Sequence, residues 1–162
     1  TQLGPLSSED ALITILKQVE KAVSQGAKIE VGGKKADLQG NFMQATIISN
    51  ITPEMDLYKE ELFGPVASFY KVKNEEEAIK VANATDFGLG GSVFSKNIER
   101  AKNVANQIDS GMIFINHPTK SSTDMPFGGT KRSGYGRELS ALGIDEFVNK
   151  KLIRVISENE KM

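Results

Sequence analysis

The sequence predicts an α/β fold with a doubly wound, mostly parallel sheet and flanking helices. Between residues 66 and 115, strand patterns alternate with amphipathic helix patterns in the order strand, helix, strand, helix, strand. Helices that connect successive strands in this way imply parallel neighbours and right-handed crossovers. The 162 residues, 39% of them apolar, are sufficient for one buried core.

The first predicted element is an amphipathic helix. Ser7 and Ser8, followed by Glu9 and Asp10, are typical of a helix start, and the pattern ends near Gly26. Apolar residues recur along it at helical spacing, which predicts one buried face. They are Leu12, Ile13, Leu16, Val19, Ala22 and Val23.

Strand patterns follow at residues 28–31 and 42–51, with a loop at residues 34–41 between them. A polar segment, residues 53–65, ends in a charged loop directly before the next strand. The alternating region then has three strands and two helices, and an asparagine precedes each helix as a cap. They are strand 66–72, helix 75–84 after Asn74, strand 90–95, helix 98–108 after Asn97, and strand 111–115.

The stretch 111–138 has a composition that no ordinary core element has. After its apolar strand comes a loop with paired glycines, Gly128 and Gly129, which suit a positive φ or a close approach between backbones. Because open α/β sheets bind ligands at loops that follow their strands, we expect this loop to face a ligand. A helix at residues 139–148 and a short apolar strand at residues 151–156 complete the predicted fold.

The composition excludes several functions. A formal net charge of −1 gives no electrostatic case for nucleic acid or an anionic membrane. No apolar run approaches the ~20 residues of a membrane span, and the start lacks a signal-peptide pattern, so we expect a cytoplasmic protein. The absence of cysteine excludes disulfides and a cysteine nucleophile within these residues, and with a single histidine we expect no metal site.

Nucleotide-binding fingerprints are incomplete in this chain. Gly134-Tyr135-Gly136 lacks the third glycine of a dinucleotide fingerprint, because Leu139 occupies that position. Lys131 follows glycines without the spacing of a phosphate-binding loop. A tight turn is the better interpretation of both segments.

The single histidine, His117, has two interpretations. It could act as the base for Ser121 or Ser122 in a hydrolase. A structural or solvent-facing role is favoured, because the histidine has no catalytic companions at a fixed spacing.

The charged loop before strand 66–72 also has two interpretations. Glu60 and Glu61 beside Phe63 are typical of a solvated turn, which composition alone favours. A carboxylate can, however, accept hydrogen bonds from ribose hydroxyls, and an adjacent aromatic side chain can pack on a planar ring.

Three motifs add a family resemblance: residues 59–66 (KEELFGPV), 88–95 (GLGGSVFS) and 126–138 (PFGGTKRSGYGRE). In this order they resemble the C-terminal third of NAD(P)-dependent aldehyde dehydrogenases, over nearly the whole chain. The segments GMIFINHPT, SGYGRELS and NKKLIRV are most similar to the bacterial succinate-semialdehyde dehydrogenase branch. The resemblance implies a partial catalytic domain at residues 1–148 and a C-terminal oligomerisation strand and tail at residues 149–162.

The resemblance also implies roles for four residues. Glu61 and Phe63 match cofactor-binding residues at the nicotinamide-side ribose of NAD or NADP. Ser121 matches a serine that contacts a substrate carboxylate, and Phe127 an aromatic that lines the substrate tunnel. The family's nucleophilic cysteine, general-base glutamate and oxyanion-hole asparagine would lie upstream of these residues. We therefore expect no catalytic residue here and no activity from this chain alone.

The leading hypothesis is a portion of an NAD(P)-dependent aldehyde dehydrogenase that oxidises an aldehyde, succinate semialdehyde by the branch resemblance. Its partners would be the small aldehyde and further copies of the chain, bound through the C-terminal strand. The alternative is a naturally short, non-catalytic binding or assembly module with the same fold. NAD and NADP both remain open, since the family's adenine-ribose site would lie in another domain.

Overall fold

The computed structural model describes residues 3–156, and the chain divides into two compact units, Thr1–Asp86 and Phe87–Met162. Four α-helices and seven short strands occur in the described residues, which confirms the α/β class. Within that range, no helix is both long and apolar enough to cross a lipid bilayer.

Helix α1 (Glu9–Ser24) begins at the predicted cap. The Ser8 hydroxyl accepts a hydrogen bond from the Ala11 amide at 3.1 Å, so one of the unpaired donors of the first turn is satisfied. At the other end Gly26 has φ +110°, a conformation that glycine adopts without steric cost. The local signals at both helix ends are therefore confirmed.

The buried face of α1 differs from the prediction. Ile15 is fully buried, whereas Ile13 and Val23 are each 42% exposed. Residues spaced by three and four positions form a stripe that Ile13 and Val23 flank, and the sheet lies against that stripe only. The buried residues of the helix are Leu12, Ile15, Val19 and Ala22.

The first unit contains a three-stranded sheet of β1 (Lys28–Val31), β2 (Thr46–Ser49) and β3 (Val66–Ser68). Strand β2 pairs antiparallel with β1 and parallel with β3. Both β2 and β3 are shorter than predicted. The core forms where α1 covers this sheet and a 3-10 turn at Asp56–Tyr58. Its buried residues beyond α1 are Ala27, Met43, Ile48, Ile51, Met55 and Leu57.

Helix α2 (Glu75–Asn83) has a reciprocal cap. The Asn74 side chain accepts from the Glu77 amide at 2.9 Å, and the Glu77 carboxylate accepts from the Lys73 amide at 2.6 Å. Two backbone donors at the start of the helix are thus satisfied by side chains. The predicted role of Asn74 as the cap is confirmed.

The second unit starts with two short strands, β4 (Phe87–Gly88) and β5 (Gly90–Val93). Helix α3 (Ile98–Ala105) connects β5 to β6 (Met112–Ile115), and these two strands pair in parallel. The predicted strand–helix–strand crossover is therefore confirmed in this unit. Asn97 is the cap of α3, since its side chain accepts from the Arg100 amide at 3.0 Å.

Strand β7 (Thr130–Lys131) lies in the glycine-rich loop and pairs antiparallel with β4. Helix α4 (Ser140–Asp145) follows and is shorter than the predicted 139–148. In the described residues the strands form three small sheets, with two of the four strand pairings antiparallel. The predicted doubly wound, mostly parallel sheet is wrong for these residues, because short non-periodic segments supply antiparallel partners.

The predicted strand at residues 151–156 has no strand pairing in the described part of the chain. Its apolar side chains are open to solvent, and Leu152 is 89% exposed. The rest of the predicted C-terminal tail, residues 157–162, lies outside the described residues. The domain boundary at residue 148 and the oligomerisation role stay predictions.

Candidate functional site

The charged loop before β3 is fixed on its inner side. Leu62 packs against the core of the first unit. A Cβ at Gly64 would lie 2.5 Å from Ile15 Cδ1, so the loop backbone rests directly on α1, where only glycine fits without a shift. The Val66 amide donates to the Gly64 carbonyl at 2.8 Å, and the loop leads tightly into β3.

The outer side of this loop presents the predicted cofactor-binding residues. Glu61 is exposed, and Phe63 is 81% exposed. Gln18 of α1 donates to the Glu60 carboxylate at 3.3 Å and to the Glu61 carbonyl at 3.4 Å, which orients the backbone. In residues 3–156 the Glu61 carboxylate forms no hydrogen bond or ion pair. Its oxygens can therefore accept hydrogen bonds from ribose hydroxyls, beside an exposed aromatic ring.

In the second unit, close backbone contacts explain the glycines of the 126–138 motif. A Cβ at Gly111 would lie 2.7 Å from the Gly128 carbonyl carbon and 2.8 Å from Gly129 Cα. The Gly111 amide also donates to the Gly88 carbonyl at 2.9 Å. Three chain segments thus meet backbone to backbone, as predicted from the paired glycines.

Arg137 holds this loop from the side. Its Nη1 atom donates to the Gly129 carbonyl at 3.0 Å and to the Gly136 carbonyl at 2.6 Å. Phe127 and Glu138 exchange two backbone hydrogen bonds, at 2.8 and 2.7 Å. The segment that carries Phe127 is therefore held by both backbone and guanidinium contacts.

The structure brings Ser121 and Phe127 together at one cavity of about 240 Å³. Leu89, Met112 and Phe127 form its apolar side, and Thr119, Lys120 and Ser121 its polar side. A cavity with an apolar wall and a few polar groups is typical of a site for a small organic ligand. The roles of Ser121 and Phe127 in substrate binding stay predictions.

The hydrolase alternative finds no support in the geometry. The Ser122 hydroxyl donates to Asp124, and His117 Nδ1 lies 2.6 Å from the Pro118 carbonyl oxygen. None of the hydrogen bonds between described residues joins His117 to Ser121 or Ser122. A nucleophile and its base need such a contact, so this loop is not arranged for nucleophilic catalysis.

Larger cavities occur in the first unit. Two of about 460 Å³ share Ile51, Tyr70 and Lys71, and another of about 440 Å³ lies beside α1 and β1. None of the predicted site residues lines them. We assign the candidate site to the smaller cavity, because both predicted substrate residues, Ser121 and Phe127, line it and size alone does not identify a binding site.

Sequence reasoning missed Lys120, Arg137 and Gln18. Lys120 lies in a loop without periodicity, so no pattern indicated that it lines the cavity. Gln18 is a polar residue on a helix, and only the fold shows that it meets the charged loop. Arg137 lies in the motif 126–138, directly after Gly136. This position next to the glycines was the one feature of the sequence that could have indicated its contact with the glycine-rich loop.

Fold and site together define a segment of a mixed α/β protein with a small cavity in its second unit. Among the described residues, no hydrogen bond joins His117 to Ser121 or Ser122. The chain belongs to the aldehyde dehydrogenase family, whose model matches residues 1–153. This finding confirms the resemblance noted in the three motifs.

Relatives in this family are similar over nearly the whole chain. It is 51% identical to the NADP-dependent succinate-semialdehyde dehydrogenase of Deinococcus radiodurans, over 99% of the chain and 34% of the relative. The crystal structure of succinic semialdehyde dehydrogenase from Streptococcus pyogenes with NADP⁺ matches with a TM-score of 0.90 and 49% identity, over 94% of the chain and 34% of that protein. A Staphylococcus aureus betaine aldehyde dehydrogenase with NAD⁺ matches with a TM-score of 0.86 and 37% identity, over 98% of the chain and 34% of that protein. The chain spans about a third of the length of these proteins.

Proposed function

We propose that this chain forms the C-terminal portion of an NAD(P)-dependent aldehyde dehydrogenase that oxidises succinate semialdehyde to its acid. The observation that carries the proposal is the shared cavity of Ser121 and Phe127, the two residues that the family resemblance assigns to the substrate. The succinate-semialdehyde dehydrogenases among the relatives support the same substrate.

The charged loop fits one side of a dinucleotide site. Glu61 would accept hydrogen bonds from the hydroxyls of the nicotinamide-side ribose, and Phe63 would pack beside that sugar and its ring. Bound NAD or NADP would supply the acceptor for the hydride that leaves the aldehyde carbon. Gln18 would keep the loop in place through its contact with the Glu61 carbonyl.

The cavity of the second unit fits the carboxylate end of the substrate. The Ser121 hydroxyl would donate a hydrogen bond to the substrate carboxylate, and Phe127 would cover the methylene chain. The backbone and guanidinium contacts around Phe127 would limit the motion of this side chain, so that the methylene chain of the substrate stays aligned for reaction. Within these 162 residues there is no cysteine to act as the nucleophile.

The apolar segment at residues 151–156 supports a homo-oligomer. Leu152, Ile153 and Val155 are exposed, and an exposed apolar segment favours burial against another protein surface. A naturally short assembly module with the same fold is not favoured, because the similarity to complete dehydrogenases includes the loops that carry the site residues.

The experiment compares Ser121→Ala with the unchanged residue in the complete enzyme that carries this segment. We expect KM for succinate semialdehyde to rise at least about tenfold, because a charged hydrogen bond contributes about 1.5–3 kcal/mol. KM for butanal, which has the same carbon chain without the carboxylate, should stay nearly constant. Ser92→Ala, an exposed serine on β5, is the control.

Equal effects of Ser121→Ala on the two aldehydes would contradict the carboxylate role. The purified 162-residue chain should oxidise neither aldehyde, because it contains no cysteine nucleophile. Turnover of succinate semialdehyde with NAD or NADP by that chain, above a mock preparation, would refute this expectation.

A further inference from the structure

The cavity beside Ser121 is lined by a single charged residue, and that charge is positive. Among the described residues that line it, Lys120 alone is ionisable, and the remainder are apolar or hydroxyl-bearing. Lys120 forms no ion pair with any described residue. A cavity lined by one lysine, two hydroxyl-bearing residues and several apolar residues suits a short apolar chain that ends in an anion.

The acidic residue of the same loop interacts with the charge of Lys120 from outside the cavity lining. Asp124 does not line the cavity, and its carboxylate accepts a hydrogen bond from the Ser122 hydroxyl. That hydrogen bond, the Asp124 amide and the charge of Lys120 lower the pKa of Asp124. The hydrogen bond from Ser122 and the charge of Lys120 both favour the ionised form of Asp124.

We propose that Lys120 is a specificity residue that attracts the carboxylate of an anionic aldehyde and holds it against the Ser121 hydroxyl. The inference rests on the proposed function and adds a charged partner to the substrate site. A lysine ammonium has three donors on a flexible stem, so it can follow the carboxylate while the serine fixes one oxygen.

The expected energetic effect is selective. An ammonium–carboxylate contact stabilises an anionic aldehyde in both the bound and the reacting state, whereas an uncharged aldehyde gains nothing from it. Added salt screens an exposed charge, so part of the preference for acids should disappear at high ionic strength. The ratio of kcat/KM for an acidic and a neutral aldehyde of equal length measures this effect directly.

The test uses the complete enzyme with Lys120→Met, which keeps an unbranched stem, and Lys120→Arg, which keeps the charge. Substrates are succinate semialdehyde against butanal and glutarate semialdehyde against pentanal, at low and high salt. We expect Lys120→Met to lower kcat/KM for both acids about tenfold, with the neutral aldehydes within about twofold. Lys120→Arg should restore most of the loss. Lys96→Met, an exposed lysine between β5 and α3, is the matched control.

An equal change for acidic and neutral aldehydes, or no change, would overturn the role of Lys120. Loss of selectivity that Lys120→Arg does not restore would overturn it as well, because the charge would then not be responsible. The proposed function has its own test: it would be wrong if the unchanged enzyme did not prefer the acidic aldehydes to the neutral ones. A preference for the acidic aldehydes that is undiminished in Lys120→Met would refute the inference alone and leave the proposed function standing.

Discussion

Replacing Arg137 by methionine should destabilise the second unit. The change keeps most of the unbranched stem that lies beside Gly128. It removes the two hydrogen bonds that the Arg137 guanidinium donates, one of 3.0 Å to the Gly129 carbonyl and one of 2.6 Å to the Gly136 carbonyl. Hydrogen bonds to charged groups contribute roughly 1.5–3 kcal/mol each, and water can replace part of the contact at Gly136. We therefore expect the free energy of unfolding to fall by about 2–4 kcal/mol.

Urea unfolding followed by circular dichroism provides the measurement. With a denaturant slope of about 2 kcal/mol/M, the midpoint should fall by about 1–2 M. Arg132→Met is the control, because Arg132 lies 5.2 Å from the centroid of the Phe87 ring, and an exposed cation–π contact contributes about 0.5–1 kcal/mol. A midpoint for Arg137→Met no lower than that of Arg132→Met would refute the assignment of the guanidinium as the group that holds the loop.

Two further results are expected. Gly111→Ala should lower the free energy of unfolding by at least about 3 kcal/mol, because its Cβ would lie 2.7–2.8 Å from backbone atoms that cannot move away. Gly4→Ala is the control and should change stability little, because no atom lies within 4 Å of its Cβ. Equal stability of the two variants would show that the close approach is absent. Deleting residues 150–162 should reduce the mass measured by light scattering, because the exposed apolar segment would no longer pair between copies; an unchanged oligomeric state and solubility would exclude the assembly role.

Local signals in the sequence predicted the starts of helices α1, α2 and α3 and one crossover correctly. The caps at Ser8, Asn74 and Asn97 each join a side chain to an amide three residues later. The chain alone determines such contacts, because neighbours at this separation meet in any helix. The crossover from β5 through α3 to β6 was predictable for a related reason, since a helix between two adjacent strands permits few arrangements.

Ser121 and Phe127 were named from the family resemblance, and their grouping with Lys120 came from the fold. Periodicity did not indicate that Ser121 and Lys120 line a cavity with Phe127, because all three lie in loops. The exposure of Phe63 and the free carboxylate of Glu61 likewise depend on Leu62 and Gly64 facing the core.

Sequence alone determined the α/β class, the helix caps and the positions of the loops that carry the candidate site residues, since these depend on contacts between near neighbours and on motif residues. Tertiary structure decided that Ile15 rather than Ile13 is buried, that β4 pairs with β7, and that Arg137 holds the glycine loop. The Thr130 hydroxyl, for example, donates to the carbonyl of Gly88, 42 residues away along the chain. Contacts at such separations depend on how distant segments pack, and local pattern and propensity carry no information about that packing.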